Sequence, residues 1–345
     1  MKKLKYIPKY LIVLFALMFV ISSCSDDENP VVPNTGPYEF DSARYEWRTD
    51  TLFSKSIGSL FGFDTSHVYL LGTHSLNIYN GESYSSHFFG DLYFNVIGGL
   101  DNSNIYIGGS YPNGDYRLMK WDGSTFTDIP VPSDTSQDYG LTAILVQSQN
   151  EIWLGTLGKI FFVDGTSFKE FKIDSASAIS SFTFDNGILL ASGRRSLCQI
   201  GCGSETYVYK FENSSWIKIF SETIPYADPP FFPLSLGNRL YGLMEDGIFD
   251  FNNGKFTKIM NPPSPYEFGI ALAGSNENDI LGYGHIENYD YTANDCIINW
   301  NGSKWSKEFE NLGLLEMKKI GESYYCILPA PIFWNRLHLK IGKRK

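Results

Sequence analysis

Nine side chains able to hold or transform a polar ligand recur at comparable points of one sequence pattern: His74, Tyr111, Arg194, Arg195, Glu245, His285, Tyr289, Tyr291 and Trp334. Histidine and glutamate can move protons, arginine pairs with carboxylates in a fork, and aromatic rings stack while keeping a polar edge. Such a set suits a neutral or polar ligand, a carbohydrate or a peptide, held by stacking and directional hydrogen bonds. Catalysis would need a nucleophile, or an acid and base, within reach of each other, and His74, Glu245, Asp246 and His285 show no diagnostic spacing. Gly-x-Ser-x-Gly, His-Glu-x-x-His and glycine-rich phosphate loops are all absent. The expectation is a binding module without a catalytic residue, with a propeller hydrolase or lyase as the second reading and a structural subunit of an envelope complex as the third.

Cysteine chemistry is also limited. Cys198 and Cys202 fall in the longest interruption of the pattern, and a disulfide between them would pin that loop in an oxidising compartment. Cys296 and Cys326 sit in strand-like runs and are expected to be buried as small apolar residues. No second Cys or His cluster accompanies Cys198, and no EF-hand pattern occurs, so neither a metal nor a cofactor is assigned.

The elements that must position these residues are read from a repeat. Val163-Asp164-Gly165 to Phe168 sets a frame of an apolar residue, a turn pair, and an aromatic five positions after the first. The frame returns at Tyr79 to Tyr84, Trp121 to Phe126, Phe211 to Trp216, Phe251 to Phe256 and Trp300 to Trp305. Its spacing of 40 to 49 residues is that of a four-stranded propeller blade. Asn-Gly and Asp-Gly favour type I′ two-residue turns, here predicted to join the third and fourth strands. Upstream of each turn lies a buried second strand, such as Val68 to Gly72, Ile105 to Gly109, Ile152 to Thr156 and Ile280 to Gly284. Aromatic content of 16% and 32 glycines agree with many short strands and turns.

Seven second strands precede only six turns. The seventh blade, from about Leu315 to Ile341, lacks a fourth strand, and Arg44-Tyr45-Glu46-Trp47-Arg48 stands before the first blade without a partner. Pairing the two ends would close the ring and remove the open edge. The predicted fold is all-β: a seven-bladed β-propeller of four-stranded blades, closed by an N-terminal strand.

Strand order resembles that of WD40-type propellers, although the Gly-His and Trp-Asp signature is largely absent. Glu151-Ile152-Trp153-Leu154-Gly155-Thr156 through Asp164-Gly165 resembles the propeller repeat of bacterial two-component regulators. That likeness covers one blade. No kinase-like segment follows it, so a signalling role is not implied.

From the end of strand two to the leading turn residue, the intervals are 5 (His74 to Tyr79), 10 (Tyr111 to Trp121), 5 (Gly158 to Val163), 17 (Arg194 to Phe211), 6 (Glu245 to Phe251) and 15 (His285 to Trp300). The large insertions therefore share one face, with Ala330 completing the ring of equivalent positions. Insertions gathered on one face of a repeat ring mark the expected binding face.

The start of the chain sets location. Lys2, Lys3, Lys5 and Lys9, an apolar run from Tyr10 to Ile21, and Ile21-Ser22-Ser23-Cys24 follow the order of a secretory signal. The apolar run is shorter than the roughly 20 residues of a spanning helix. Ile-Ser-Ser-Cys resembles the lipobox of bacterial lipoproteins, which implies lipidation at Cys24; an ordinary thiol after a conventional cleavage site is the alternative. Residues 1–23 are thus expected as signal peptide, 24–42 as flexible tether and 43–345 as propeller. Ser25-Asp26-Asp27-Glu28 resembles the export signal of some surface-displayed gram-negative lipoproteins, implying an outer-membrane lipoprotein on the periplasmic or cell-surface side. Four of the 28 basic residues lie before Cys24, leaving 24 against 38 acidic ones, a net charge near −14. Nucleic acid is excluded on that balance. The expected partners are the membrane, through lipid on Cys24, and an extracellular carbohydrate or protein. The basic ending Lys343-Arg344-Lys345 is expected to be a solvated terminus.

Overall fold

The computed structural model describes residues 39–52, 57–132, 140–165, 167–174, 178–197, 203–224, 231–286, 295–310, 313–329 and 336–345. Every regular element among them is a strand. After β1 (Tyr45–Leu52), blade 1 holds β2 (Ser59–Asp64), β3 (His67–Leu71), β4 (Ser75–Tyr79) and β5 (Tyr84–Phe88). Blade 2 holds β6 (Tyr93–Gly99), β7 (Ile105–Ser110), β8 (Tyr116–Trp121) and β9 (Phe126–Ile129); blade 3 holds β10 (Ala143–Ser148), β11 (Glu151–Gly155), β12 (Lys159–Val163) and β13 (Phe168–Lys172). Blade 4 comprises β14 (Ala178–Asp185), β15 (Ile188–Ser196), β16 (Ser204–Glu212) and β17 (Ser215–Ile224). Blade 5 comprises β18 (Phe232–Leu236), β19 (Arg239–Met244), β20 (Gly247–Asn252) and β21 (Lys255–Met260). Blade 6 runs through β22 (Glu267–Asn276), β23 (Asp279–His285), β24 (Cys296–Trp300) and β25 (Trp305–Glu310). Blade 7 contributes β26 (Glu316–Ile320), β27 (Ser323–Pro329) and β28 (Leu337–Arg344), and takes β1 as its fourth strand.

Each first strand touches the next around the ring, and β26 touches β2, so seven sheets enclose an axial channel. This is the seven-bladed propeller expected from the repeat. The second strands are buried almost throughout, and glycines in them admit the neighbouring blade. A Cβ on Gly155 would lie 2.7 Å from Ile179 of blade 4, and one on Gly242 would lie 1.9 Å from the ring of Phe231, just before the first strand of its own blade. The paired turn aromatics stack on each other, with ring centroids 4.6 Å apart for Trp121 and Phe126 and 5.2 Å for Phe211 and Trp216. They also meet the blade before: Phe89 packs on Phe126, and Trp153 on Phe211. Cys296 and Cys326 are buried and free, as expected.

Several details depart from the sequence reading. In blades 1, 2, 3 and 6 the turn is a four-residue loop, because Tyr79, Trp121, Val163 and Trp300 pair directly with the residue five positions on. The Asn or Asp side chain holds that loop. Asp122 Oδ1, for example, accepts the Ser124 and Thr125 amides at 2.8 and 2.7 Å, while Gly123 takes φ of 97°. Type I′ turns occur instead at Asn213-Ser214 and Asn253-Gly254, with φ of 50° and 60°, and 50° and 77°. There the ladder continues for one more pair, which moves the left-handed positions along by one residue. At the C-terminus, Lys343 and Arg344 are the end of β28, opposite Glu46 and Tyr45, so only their side chains are solvated. Residues at the end of the expected tether run beside blade 6, with the Asp41 amide donating to Trp305 O at 3.0 Å.

The closing strand is latched by one carboxylate. A bulge between Lys307 and Phe309 takes Glu308 out of the β24–β25 ladder. Buried at 8% exposure, Glu308 accepts the Arg44 amide at 3.0 Å, the Tyr45 amide at 3.1 Å, Trp47 Nε1 at 3.3 Å and the Ser306 hydroxyl at 2.7 Å. Glu308→Ala strands these donors and should cost about 3 kcal/mol of stability, read as a lower denaturant midpoint with an unchanged folded-state spectrum. Glu308→Gln, which keeps one acceptor, should lose less.

Candidate functional site

Antiparallel order places all connections between second and third strands at the same edge of their blades. They span residues 72–74, 111–115, 156–158, 197–203, 245–246, 286–295 and 330–336. Six of the seven connections at the opposite edge, between first and second strands, are two residues long. Part of the blade 4 interruption is strand: β15 and β16 stay paired through Arg194 to Ser196 against Ser204 to Thr206. Arg194 and Arg195 are therefore ladder residues, and their side chains leave opposite faces of the sheet.

Arg195 faces blade 3. Its Nε lies 2.5 Å from Glu205, which is 7% exposed, and its NH1 donates to Asp174 at 3.1 Å. Lys218 lies 3.5 Å from Asp174, and the Ser221 hydroxyl donates to Glu205. Two cations and two carboxylates close on themselves here. Arg194 faces blade 5, its guanidinium 4.8 Å from the centre of the Phe232 ring. One guanidinium nitrogen of Arg194 is buried with no hydrogen-bond partner among the described residues.

His74 Nδ1 donates to Leu92 O at 2.8 Å, and its ring packs on Tyr93 at 4.7 Å. That bond fixes the tautomer and makes Nε2 the free acceptor when the ring is neutral. His285 is held in the same way, Nδ1 to Asp295 Oδ1 at 2.7 Å, with 40% of its side chain exposed. Asp295 also accepts the Tyr283 hydroxyl, whose pKa burial and that bond push upward. Tyr111 takes a hydrogen bond from Arg117, and the Glu245 carbonyl accepts the Phe268 amide at 2.8 Å. Tyr289, Tyr291, Trp334, Cys24, Cys198 and Cys202 lie outside the described residues.

The expected residues that are described, His74, Tyr111, Arg194, Arg195, Glu245 and His285, thus share an edge of the ring, and their contacts lie within their own blade or with an adjacent one. No hydroxyl or thiol is hydrogen-bonded to His74 or His285 among the described residues, and no group of three His, Cys, Asp or Glu there could hold a metal. Burial pushes the Cys296 thiol up to about 11. Among the described residues, that face offers a ligand two acceptor imidazoles and a stacked guanidinium.

Sequence reasoning missed the Asp295, Glu205 and Lys218 partners, and it missed a charged pair at the channel. Glu316 and Lys318 alternate along β26, are part-buried, and find no ion-pair or hydrogen-bond partner among the described residues. The pattern Glu-Met-Lys-Lys-Ile in a first strand was the available signal.

No family model and no curated protein matches the chain. A chain in the crystal structure of the mitotic checkpoint complex superposes with a TM-score of 0.57 at 13% identity, over 89% of this chain and 96% of that one. A tricorn protease chain superposes with a TM-score of 0.55 at 9% identity, over 84% of this chain and 33% of that one. Identities this low carry the fold alone.

The channel pair has a pH consequence. Burial pushes the Glu316 carboxyl up to about 7, with Lys318 partly opposing. The folded chain then keeps a proton that the unfolded chain releases near 4.5, so this group subtracts stability as pH rises from there to about 7. Glu316→Gln should match the parent at pH 4.5 and exceed it at pH 7.5 by roughly 1–3 kcal/mol, measured by denaturant midpoints at the two pH values.

Proposed function

We propose that this protein is a lipid-anchored, extracytoplasmic binding module that holds a carbohydrate, peptide or protein on the edge bearing the second-to-third-strand connections. The observation that carries the reading is the asymmetry of the ring: short connections on one edge, and on the other connections of up to ten residues in blade 6. A repeat fold conserves its strands for packing, so chemical variety accumulates in the loops that packing leaves free. His74, His285 and Arg194 supply acceptors and a cation at that edge.

The anchor rests on the basic leader, the apolar run and Ile21-Ser22-Ser23-Cys24, with lipid on Cys24 tethering the propeller to an outer membrane. The His285–Asp295 pair favours the hydrolase or lyase reading as the second possibility, since an oriented imidazole is what general-base chemistry uses. Docking of an envelope protein is the third.

Screening the detergent-solubilised full chain against glycan and peptide arrays tests the reading. Binding should fall roughly tenfold in His285→Ala and Arg194→Ala, the loss expected for a removed directional contact. Turnover of a bound polymer would favour the enzyme. Capture of only an envelope protein, by crosslinking in cells, would favour the structural subunit. Metabolic labelling with a palmitate analogue should mark the parent chain and not Cys24→Ala; labelling that survives the substitution rejects the anchor.

A further inference from the structure

Glu316 and Lys318 occupy alternate positions of β26 and so leave the strand on the same side. That side faces blade 1. Ile320, of the same parity, packs with Leu60 and Val68, and the Lys318 ammonium lies 5.5 Å from the centre of the Phe61 ring. Residues of the other parity face blade 6, where Lys319 pairs with Asp279 and Met317 packs beside Tyr324. Because β26 and β2 are both first strands, the two charges sit where the seam between blades 7 and 1 borders the axial channel.

A charge kept from bulk water is costly unless paired. Lys319, one position away, obeys that rule through Asp279, and Glu308 obeys it through its four donors. Among the described residues Glu316 and Lys318 find no such partner, and the charge of each acts on the other. Apolar residues would satisfy this seam better, as Ile320 does two positions on. What remains is a carboxyl and an ammonium held apart, with the Lys318 ammonium beside the part-exposed ring of Phe61, whose other contacts, like those of Phe63, are with the cluster between blades 1 and 2.

We propose that Glu316 and Lys318 form a binding site for a zwitterionic α-amino acid, the carboxylate of Glu316 taking the ligand ammonium, the Lys318 ammonium taking its carboxylate, and the part-exposed ring of Phe61 beside Lys318 receiving an apolar side chain. One ligand then pairs both charges. A zwitterion also adds no net charge to a chain whose formal charge is −10, whereas a polyanion would be repelled. This site is separate from the loop edge and stands or falls without it.

The test uses the purified full chain with three probes: L-leucine, L-leucinamide, which lacks the carboxylate, and 4-methylpentanoate, which lacks the ammonium. Leucine should raise the melting temperature with saturation, and each analogue should bind about tenfold more weakly or less. Glu316→Gln and Lys318→Met should each abolish the leucine response. At pH 6, leucine binding should release protons, seen as a heat that varies with the ionisation enthalpy of the buffer, because the ligand ammonium favours the ionised Glu316. Equal responses to the three probes, a leucine response that survives either variant, or no saturable response to leucine would overturn the proposal. If a variant fails to fold, the comparison of probes on the parent chain decides.

Discussion

The fold depends on the pairing of its two ends. β1 lies antiparallel to β28 from Tyr45 opposite Arg344 to Leu52 opposite Leu337, completing the sheet of blade 7. Every blade buries one face against its predecessor and the other against its successor, so a missing strand would expose apolar surface on both sides of one gap. Ladder hydrogen bonds alone leave the entry of β1 unsecured. Glu308, turned inward by its bulge, captures the first amides of the strand and the indole of Trp47. Around that latch, Tyr45 packs on Tyr324 at 5.2 Å and Trp47 on Phe309 at 4.7 Å. A desolvated carboxylate with four donors is stable only while all four are present, which makes closure close to all-or-none.

Between blades the core is aromatic. The turn residues that make the repeat visible are the same rings that fill the wedge between adjacent sheets, as with Phe256 against Phe220 of blade 4, and Trp305 in the cluster that blade 6 shares with Tyr241 and Leu243 of blade 5. Glycine in the second strands lets those rings and the neighbouring aliphatic side chains approach the backbone. The outer strands carry the opposite pattern. β13 carries Lys169, Glu170 and Lys172, β21 carries Lys255 and Lys258, and bulges bend β17, β21 and β25, which disfavours pairing of these edges with other chains.

Among the described residues, polar side chains that packing does not consume gather in two places. At the loop edge, several of the candidate residues also tie blades together: His74 to Leu92, Arg195 to Asp174, Glu245 to Phe268. The first two bonds orient side chains and the third, between backbone groups, stiffens the rim, so a ligand there would meet a preorganised surface. At the channel, Glu316 and Lys318 are held by a strand whose other residues are anchored on both sides.

The sequence by itself determined the architecture: six aromatic turn frames, seven apolar second strands, an unpartnered Tyr45-Glu46-Trp47, and the burial of Cys296 and Cys326. These are legible because each arises from local period and residue size, repeated until the count is unambiguous. The edge that carries the long connections was legible for the same reason. Tertiary structure alone decided which side chains are free. Arg195 is neutralised by a carboxylate from the preceding inter-blade connection while its neighbour Arg194 stacks on the next blade, and Glu308 is a latch only because a bulge aims it at a strand 261 to 264 residues away. The Asn-Gly and Asp-Gly pairs fixed where chains turn, yet loop length depended on whether the ladder ran one pair further. Partners across blades are set by ring geometry, and no local pattern encodes which charge will find an opposite one and which, like Lys318, has none among the described residues.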